Sequence, residues 1–244
     1  MKKIKEAIKS TLYLIKLGTN FRIIINFFFF KIFFFISKII NKKKLYENDK
    51  EYFTNFFFKD KIFSRNLFLQ NIDIMEFFFR RNKNLKIRSY LEIGSFEGSS
   101  VCYFLKKLAQ CDSFTCIDIW DGKEELEKLD FKEVERKFDQ NTSSVEKIKK
   151  IKINSDLFFK QNLKTFDLIY IDGNHRAPQV KKDLDNSLKI LNNNGILIID
   201  DYLWDWYENL KLNPAYEINY FYNKNSKFLK ILLIHNIVVL QKKI

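Results

Sequence analysis

The chain has 244 residues, which is enough for one α/β domain of ordinary size plus an extension. Its formal charge is +13, and the whole excess lies in residues 1–89, because residues 90–244 hold 23 basic and 23 acidic residues. A neutral C-terminal part argues against a nucleic-acid substrate, which needs Lys and Arg along the path of its phosphates. The three cysteines lack metal-type spacing and we expect no cleavable secretory signal, so we predict free thiols and a cytoplasmic location.

The N-terminal region predicts a basic amphipathic helix over residues 4–15. Lysines surround a stripe of residues at helical spacing, and the stripe consists of Ile4, Ala7, Ile8, Thr11, Leu12 and Ile15. Such a helix can lie on an anionic membrane or pack against a partner helix. We therefore expect either peripheral contact with the inner face of a membrane or a role in forming a homo-oligomer.

The next segment, residues 23–40, contains 14 Ile or Phe residues in 18 positions. It is short for a membrane span, has Lys31 near its centre, and is followed by three lysines at 42–44. Three interpretations remain open: a transmembrane span, a membrane-surface or partner-packing helix, and an ordinary core helix. A further helix is predicted over residues 67–81, and we interpret residues 1–88 as a basic, Phe/Ile-rich helical extension.

From residue 89 onward, strand-like and helix-like segments alternate, which predicts βαβ units and a parallel sheet in a second domain, residues 89–244. The predicted strands lie near residues 89–93, 114–118, 149–153, 167–172 and 196–200. The predicted helices lie near residues 99–109, 123–138, 156–162, 178–191, 204–210 and 214–222. Two β-rich runs, 228–234 and 237–241, flank His235 and Asn236 and predict a C-terminal antiparallel hairpin, in which His235 is structural.

Two buried strands of this pattern end in acidic residues. The first leads to Asp172 and His175, and the second leads to Asp200 and Asp201. Ligands of open α/β folds bind beyond the carboxyl ends of such strands, so these four side chains should meet in one pocket. Three carboxylates raise one another's pKa unless a cation lies between them, which predicts a divalent metal site. The alternative is that Asp200 or Asp201 caps a helix beginning near Tyr202.

The first strand leads into the sequence L-E-I-G-S-F-E-G-S-S, residues 91–100. Gly94 permits a tight turn and Gly98 a close backbone approach, so a ligand can rest against the following helix N-terminus. Phe96 occupies the place of the middle glycine of pyrophosphate-binding loops. Asp118 ends the second strand, where its carboxylate can accept both hydroxyls of a ribose, although it could instead cap the helix that follows Asp121.

With these motifs in this order, residues 89–244 resemble the class I S-adenosylmethionine-dependent methyltransferases. The runs I-D-G-N-H and G-I-L-I-I-D-D-Y-L-W are similar to those of the metal-dependent O-methyltransferases related to the catechol, caffeoyl-CoA and macrolide-sugar enzymes. The resemblance implies a Rossmann-like sheet, mostly parallel with an antiparallel C-terminal hairpin strand. It also implies Mg²⁺ or Mn²⁺ held by Asp172, Asp200 and Asp201.

Further residue roles follow from the same resemblance. His175 stands where the sugar-modifying branch has its proposed base, whereas Lys181 and Lys182, near the lysine position of the catechol branch, fall on a predicted helix. Glu92 would hold the methionine amino group of S-adenosylmethionine, Asp118 its ribose, and Ser155 with Asp156 its adenine side. The full set of implied cofactor contacts is Glu92, Gly94, Ser95, Gly98, Ser99, Asp118, Ser155, Asp156 and Asp172.

The expected reaction is O-methylation of a small hydroxylated acceptor, such as a sugar or a glycan or lipid precursor. A bound cation would lower the pKa of the hydroxyl and hold its oxygen in line with the sulfonium methyl, and His175 would remove the proton. The alternatives are a metal-free methyltransferase, a nicotinamide-dependent oxidoreductase, which Phe96 and the terminal hairpin disfavour, and a non-catalytic membrane-associated adaptor. No residue of the sequence identifies the acceptor.

Overall fold

A seven-stranded sheet forms the centre of the protein, seen in a computed structural model that describes residues 2–40, 49–121 and 129–244. Its strand order is β3-β2-β1-β4-β5-β7-β6. The strands are β1 (Ser89–Ile93), β2 (Ser113–Asp118), β3 (Ile148–Lys152), β4 (Phe166–Ile171), β5 (Leu191–Ile199), β6 (Leu229–Ile234) and β7 (Val238–Lys242). The first five are parallel, and β7 runs antiparallel to β5 and β6, which confirms the predicted mostly parallel sheet and terminal hairpin.

Helices precede the sheet and connect its strands. They are α1 (Lys2–Lys16), α2 (Phe21–Ile40), α3 (Ile72–Arg81), α4 (Ser99–Lys107), α5 (Phe131–Thr142), α6 (Ser155–Gln161), α7 (Ala177–Ile190) and α8 (Pro214–Asn225). Strands β1 and β4 and the second half of β5 are almost entirely buried, because helices cover both faces of the sheet. This burial explains why their sequences are continuous apolar runs instead of alternating ones.

The N-terminal extension supplies core residues to both faces of the sheet. On one face, Phe68 and Phe78 pack in the cluster that contains Tyr90 and Tyr170. On the opposite face, Phe27 packs in the cluster that contains Leu91, Ile169 and Leu197. The extension is therefore part of the same hydrophobic interior, and the division of the chain at residue 88 stays a prediction.

Helix α1 forms where it was predicted, and most of its predicted apolar stripe is exposed, so contact of that stripe with a membrane or a partner helix stays a prediction. Its buried residue is Leu14, with 0% exposure, whereas Ile8, Leu12 and Ile15 are each more than half exposed. The stripe was chosen for its apolar residues, but α1 lies against the domain through the side that carries Leu14. The side chain of Ile4 lies outside the described part of the structure.

Helix α2 packs against the domain through one side only. Ile23 and Phe27 are buried, and Lys38 Nζ forms an ion pair with Asp73 Oδ2 of α3 at 2.5 Å. Its outer side is apolar and exposed, including Phe29 and Phe33. Within the described residues α2 is the one helix long and apolar enough to cross a membrane by length and composition, which alone is weak support for a membrane span. The lysines at 42–44 lie outside the described residues.

Three predicted helices differ from the structure. Residues 67–81 divide into a 3₁₀ turn, Leu67–Gln70, and α3. Helix α5 begins at Phe131, because the Asp130 carboxylate caps it by accepting from the amides of Lys132 and Glu133; residues 122–128 are not described. No helix forms over residues 204–210, because the Asn213 side chain pairs with the backbone N–H and C=O of Tyr207 and stabilises a loop.

The packing of α2 generates a stability prediction. Phe27 has no exposed surface and Phe29, two positions along the same helix, is 52% exposed. Phe27→Ala should lower the free energy of unfolding of the full chain by about 3–5 kcal/mol, because it leaves a cavity between α2 and the sheet. Phe29→Ala, the matched control, should change it by less than about 0.5 kcal/mol. Denaturant unfolding of the detergent-free protein measures both, and equal effects would show that α2 is not a core helix.

Candidate functional site

The carboxyl ends of β1, β2, β4 and β5 meet at one edge of the sheet. The loops after these strands are joined by backbone hydrogen bonds, from Asp172 N to Ile93 O at 2.9 Å and from Asp200 N to Ile171 O at 3.0 Å. A cavity of about 700 Å³ opens beside them, and its wall includes Gly94, Asp118 and Ser155. Its position is the one where open α/β sheets bind ligands, as the strand pattern predicted.

The loop after β1 approaches the loop after β4 so closely that only glycine fits at position 94. Gly94 has φ +88°, and a Cβ there would lie 2.2 Å from the carbonyl oxygen of Asp172. Gly98 also has a left-handed φ of +80°, but a Cβ at that position would have the Phe138 ring as its nearest neighbour, 3.1 Å away. The two glycines therefore have different roles: Gly94 allows two site loops to cross, and Gly98 allows α4 to pack on α5.

Asp118 organises the second wall of the cavity. Its carboxylate accepts hydrogen bonds from the backbone N–H groups of Phe96 at 2.9 Å and Trp120 at 3.0 Å. Both of those residues have left-handed backbones, with φ of 45° and 41°, and the Trp120 indole donates to Phe96 O at 2.8 Å. Asp118 therefore ties two strained loops together, and the helix that it could cap after Asp121 falls on residues 122–128, outside the described part of the structure. A carboxylate has about four acceptor positions, so it can still accept from a ligand hydroxyl.

The far wall of the cavity is a polar network on α6 and α7. Gln179 Nε2 donates to Ser155 Oγ at 3.1 Å and to Asp156 Oδ1 at 3.0 Å. Asp183, one turn further along α7, is buried, and that burial raises its pKa to about 6. Sequence analysis identified Ser155 and Asp156 but missed Gln179 and Asp183. The sequence did contain a signal for these two residues. They form a polar pair at positions i and i+4 of α7, next to the buried Val180 and Leu184.

Four of the predicted cofactor residues, Gly94, Asp118, Ser155 and Asp156, line this cavity. Glu92 does not, because its carboxylate is fully buried and accepts hydrogen bonds from Tyr90 Oη and from Ser100 Oγ at 2.7 Å. Burial raises the pKa of Glu92 to about 8, which favours the neutral form. The cavity wall also leaves out Ser95, Gly98, Ser99 and the side chain of Asp172, so contacts of these residues with a cofactor stay predictions.

Asp172, His175 and Asp201 form a compact cluster at the same edge of the sheet. His175 Nε2 lies 3.0 Å from Asp201 Oδ2 and 3.7 Å from Asp172 Oδ1, and all three side chains are partly exposed. The His175 ring packs against Trp204, with 4.9 Å between ring centroids. One ligand atom from each of the three residues lies within 4.8 Å of the others.

Asp200, predicted as a third metal ligand, has a different environment. Its Oδ2 accepts from Tyr170 Oη and from Asn71 Nδ2 at 2.6 Å, and its Oδ1 accepts from the amide of Asp201. Burial, with the charges of Asp172 and Asp201 nearby, raises the pKa of this carboxyl well above its usual range. Asp201 has a left-handed backbone, with φ of 52°, so its carboxylate does not follow that of Asp200 into the core. The role of Asp200 as a metal ligand therefore stays a prediction, and His175 is the third residue of the compact cluster.

An aromatic wall adjoins the cluster, and sequence analysis missed it. Trp204 stacks on Trp206 with ring centroids 5.9 Å apart and contacts Tyr207 edge-on. Arg176 lies over the Tyr207 ring, and its Nε donates to Tyr207 Oη at 3.1 Å. These residues were assigned to a predicted helix, which would have spread their side chains around a cylinder. The loop gathers them on one side of the site.

The donors of the cluster fit a divalent cation in their chemistry. Carboxylate oxygens are the donors that Mg²⁺ and Mn²⁺ prefer, and an imidazole nitrogen extends the set toward transition metals. Asp172 and Asp201 provide the oxygens and His175 the nitrogen. Asp200, whose carboxyl already accepts hydrogen bonds from protein groups, stays a predicted ligand.

Comparisons with known proteins agree with this geometry. Residues 91–202 match the family model described as a methyltransferase domain. An uncharacterised protein of Acanthamoeba polyphaga mimivirus is 30% identical over 118 residues, which cover 47% of this chain and 51% of that protein. The match thus spans about half the length of this curated relative.

Several solved structures share the fold. The O-methyltransferase TomG from Streptomyces achromogenes, involved in tomaymycin synthesis and solved with S-adenosylmethionine, has a TM-score of 0.53 at 10% identity, covering 86% of this chain and 94% of that chain. The methyltransferase MycE, solved with Mg, S-adenosylhomocysteine and mycinamycin VI, has a TM-score of 0.53 at 16% identity. The match covers 80% of this chain and 54% of that chain. An O-methyltransferase from Bacillus cereus, solved with S-adenosylhomocysteine, has a TM-score of 0.50 at 13% identity. The match covers 69% of this chain and 80% of that chain. At these identities the similarity shows the fold alone.

The crossing of the two site loops generates a prediction about Gly94. Gly94→Ala must force the Asp172 carbonyl away, so it should destabilise the protein by about 1–3 kcal/mol beyond the strain of a left-handed alanine. Gly18→Ala is the matched control, because Gly18 has φ +67° and nothing within 4 Å of an added Cβ; it should cost only about 1–2 kcal/mol. Thermal unfolding compares the two variants. Equal losses would mean that the loop crossing has room to relax.

Proposed function

We propose that this protein transfers a methyl group from S-adenosylmethionine to a hydroxyl oxygen, with help from a divalent cation, because residues 91–202 match a methyltransferase-domain family model and the sheet has a Rossmann-like order. One observation carries the proposal: the cluster of Asp172, His175 and Asp201 stands at the same sheet edge as the 700 Å³ cavity. A cofactor in that cavity and a hydroxyl at that cluster would be neighbours, which is the arrangement that methyl transfer requires.

The cavity walls support binding of an adenosyl cofactor. Asp118 would accept hydrogen bonds from the ribose hydroxyls, and Ser155 with Asp156 would line the adenine side. Gly94 and Gly173 present backbone without side chains at the centre of the wall, so the methionine part of the ligand can approach closely. TomG and the Bacillus cereus enzyme, which share the fold, were solved with S-adenosylmethionine and S-adenosylhomocysteine.

Asp172 and Asp201 would hold the cation with one carboxylate oxygen each. A cation there would lower the pKa of an acceptor hydroxyl and neutralise the two carboxylates. MycE, which shares the fold, was solved with Mg. The same His175 nitrogen cannot be a metal ligand and a proton acceptor at one time, and the proposal assigns it proton acceptance. The Trp204 ring packs against the imidazole and keeps it oriented for proton acceptance.

Binding of the cofactor can be measured without knowledge of the acceptor. Calorimetry should detect S-adenosylhomocysteine binding to the full chain and no comparable binding of NADH. Asp118→Asn should weaken S-adenosylhomocysteine by about 10-fold or more, because it removes a charged acceptor worth about 1.5–3 kcal/mol. Asp112→Asn, an exposed acid just before the same strand, should leave the affinity unchanged. Binding of NADH in preference to the adenosyl compound would replace the proposal with the oxidoreductase alternative.

Metal dependence has its own test. Titration of the full chain with Mn²⁺ should show one site, which Asp172→Asn and Asp201→Asn each weaken by at least about 10-fold. Asp185→Asn is the matched control, since that carboxylate pairs with Lys181 on the outer part of α7. His175→Gln separates the two roles of the imidazole. It should lower turnover by about 10²–10⁴ with little effect on Mn²⁺ affinity if His175 accepts the proton. Methylation of a metabolite extract at full rate in excess EDTA would support a metal-free methyltransferase instead.

A further inference from the structure

Helix α2 exposes an apolar face along its whole length. Eleven of its residues are exposed, and ten of these are Ile or Phe, whereas the other is Arg22 near its N-terminal end. At 3.6 residues per turn the ten apolar side chains cover about half of the helix circumference. We name them the outer face of α2: Phe21, Ile25, Phe28, Phe29, Ile32, Phe33, Phe35, Ile36, Ile39 and Ile40. Monomeric proteins rarely expose a contiguous apolar surface of this length unless it binds something.

Helix α1 adds both apolar and basic side chains to this surface. Leu12 is exposed, with exposed Lys9 three positions before it and exposed Lys16 four positions after it, so the three side chains share one side of the helix. Ile8 and Ile15, which are also exposed, stand four positions before and three positions after Leu12. The exposed side of α1 therefore has an apolar edge next to a basic edge, which is typical of helices that lie at a membrane surface.

A second cavity, of about 950 Å³, shows that the exposed faces of the two helices adjoin. Its wall includes exposed Leu12 of α1 together with exposed Phe28 and Ile32 of α2. Another part of its wall is the loop after β5, where Asp201 and Trp204 line it. Because Asp201 belongs to the carboxylate–histidine cluster, the shared apolar surface of α1 and α2 borders a cavity that reaches the candidate site.

The charge of the N-terminal segment indicates the kind of partner that this surface fits. Residues 1–44 hold eleven basic residues and one acidic residue, Glu6. Lys9, Lys16 and Arg22 are exposed on the two helices themselves. Each basic residue near an anionic membrane surface strengthens binding by about 5-fold. A second copy of this chain would instead place the same positive charge opposite, which disfavours a symmetric pair through this face.

The chemistry of the outer face also favours lipid over a protein partner. From residue 25 to residue 40, a stretch that the structure describes, every exposed side chain of α2 is Ile or Phe and offers no hydrogen bond. Interfaces between proteins contain about one hydrogen bond per 100–200 Å², whereas lipid chains need none.

The inner side of α2 decides how the helix would meet a membrane. Ile23 and Phe27 are buried in the domain, and Lys38 Nζ pairs with Asp73 Oδ2 of α3 at 2.5 Å. A span across the bilayer would have to break these contacts and bring Lys31 into the hydrocarbon, which is costly. The packing therefore favours a helix that stays on the domain and lies in the plane of the membrane.

From these observations we propose that α1 and α2 dock the protein on the surface of an anionic lipid bilayer. The outer face of α2 enters the boundary between headgroups and acyl chains, and Lys9, Lys16 and Arg22 lie among the lipid phosphates. Helix α2 keeps its inner side on the domain. Docking of this kind does not depend on the methyl-transfer activity.

Flotation of the full chain with lipid vesicles tests the docking, because bound protein rises in a density gradient and aggregated protein sinks. The protein should float with vesicles of phosphatidylcholine and phosphatidylglycerol at about 7:3, and it should bind them at least about 10-fold more tightly than phosphatidylcholine alone. Raising NaCl from about 0.05 M to about 1 M should release most of the protein, because the Debye length falls to about 3 Å.

Two variants test the apolar part of the surface. Phe29→Ser combined with Phe33→Ser removes two exposed rings that lie outside the second cavity, so any loss reports on the outer face alone. Binding to the anionic vesicles should weaken by about 10-fold or more. Leu163→Ser is the matched control, because Leu163 is 98% exposed in the loop before β4, and it should leave binding unchanged.

The basic part has its own pair of variants. Lys9→Gln combined with Lys16→Gln should weaken binding to the anionic vesicles by about 10-fold or more and have little effect on neutral ones. Lys83→Gln combined with Lys86→Gln removes the same charge from exposed positions just before β1. This control should float like the unmodified protein.

Three results would overturn the proposal. Protein that stays at the bottom of the gradient with anionic vesicles at low salt is the first, and it needs no variant. The second is a dimer in light scattering, without flotation, that Phe29→Ser with Phe33→Ser dissolves; the outer face would then be an interface between two copies. The third is flotation that persists undiminished at about 1 M NaCl, which would indicate a spanning helix.

Discussion

The close crossing of the loops after β1 and β4 is the constraint on which the site depends. Gly94 has no side chain, so the Asp172 carbonyl can occupy the space where a Cβ would stand. Hydrogen bonds from Gly94 N to Ile117 O and from Asp172 N to Ile93 O then join the ends of three neighbouring strands. This junction sets the Asp118 carboxylate on one side of β1 and the Asp172 carboxylate on the other. The ligand cavity and the carboxylate–histidine cluster are therefore adjacent because the backbones cross there.

The two adjacent acids that follow β5 lie in different electrostatic environments. Asp201 adopts a left-handed backbone, with φ of 52°, which turns its carboxylate out toward His175. Asp200 stays in the core, where Tyr170 and Asn71 donate to it and burial favours its neutral form. A neutral buried carboxyl can hold the strand end in place without adding a third negative charge to the cluster. The cluster therefore has less electrostatic repulsion than three ionised carboxylates would create.

The N-terminal extension is tied to the candidate site by polar contacts as well as by packing. Asn71 donates to Asp200, and the amide of Ser64 donates to Glu97 at 2.7 Å in the loop after β1. Helices α1 and α2 then form much of the wall of the second cavity. The part of the chain with the large positive charge thus helps to shape the site of the neutral part. Some of its exposed Phe residues, such as Phe29 and Phe33, lie outside that wall.

The sequence by itself determined the order of the strands along the chain and the parallel sheet with its terminal hairpin. It also determined the positions of Asp118, Asp172, His175 and Asp201 at strand ends. Strands buried on both faces are apolar runs, and these runs end where the chain leaves the sheet. Only the tertiary structure decided that Leu14 faces inward on α1, that residues 204–210 form an aromatic loop, and that His175 instead of Asp200 joins the cluster. Two of these depend on partners far away in the chain, which are the sheet face for Leu14 and Tyr170 with Asn71 for Asp200. The loop depends on Asn213, which lies six residues after Tyr207 and beyond the predicted helix. The periodicity of apolar residues predicts whether a segment is a helix or a strand. It does not predict where one side chain points, because that direction depends on contacts with other parts of the chain.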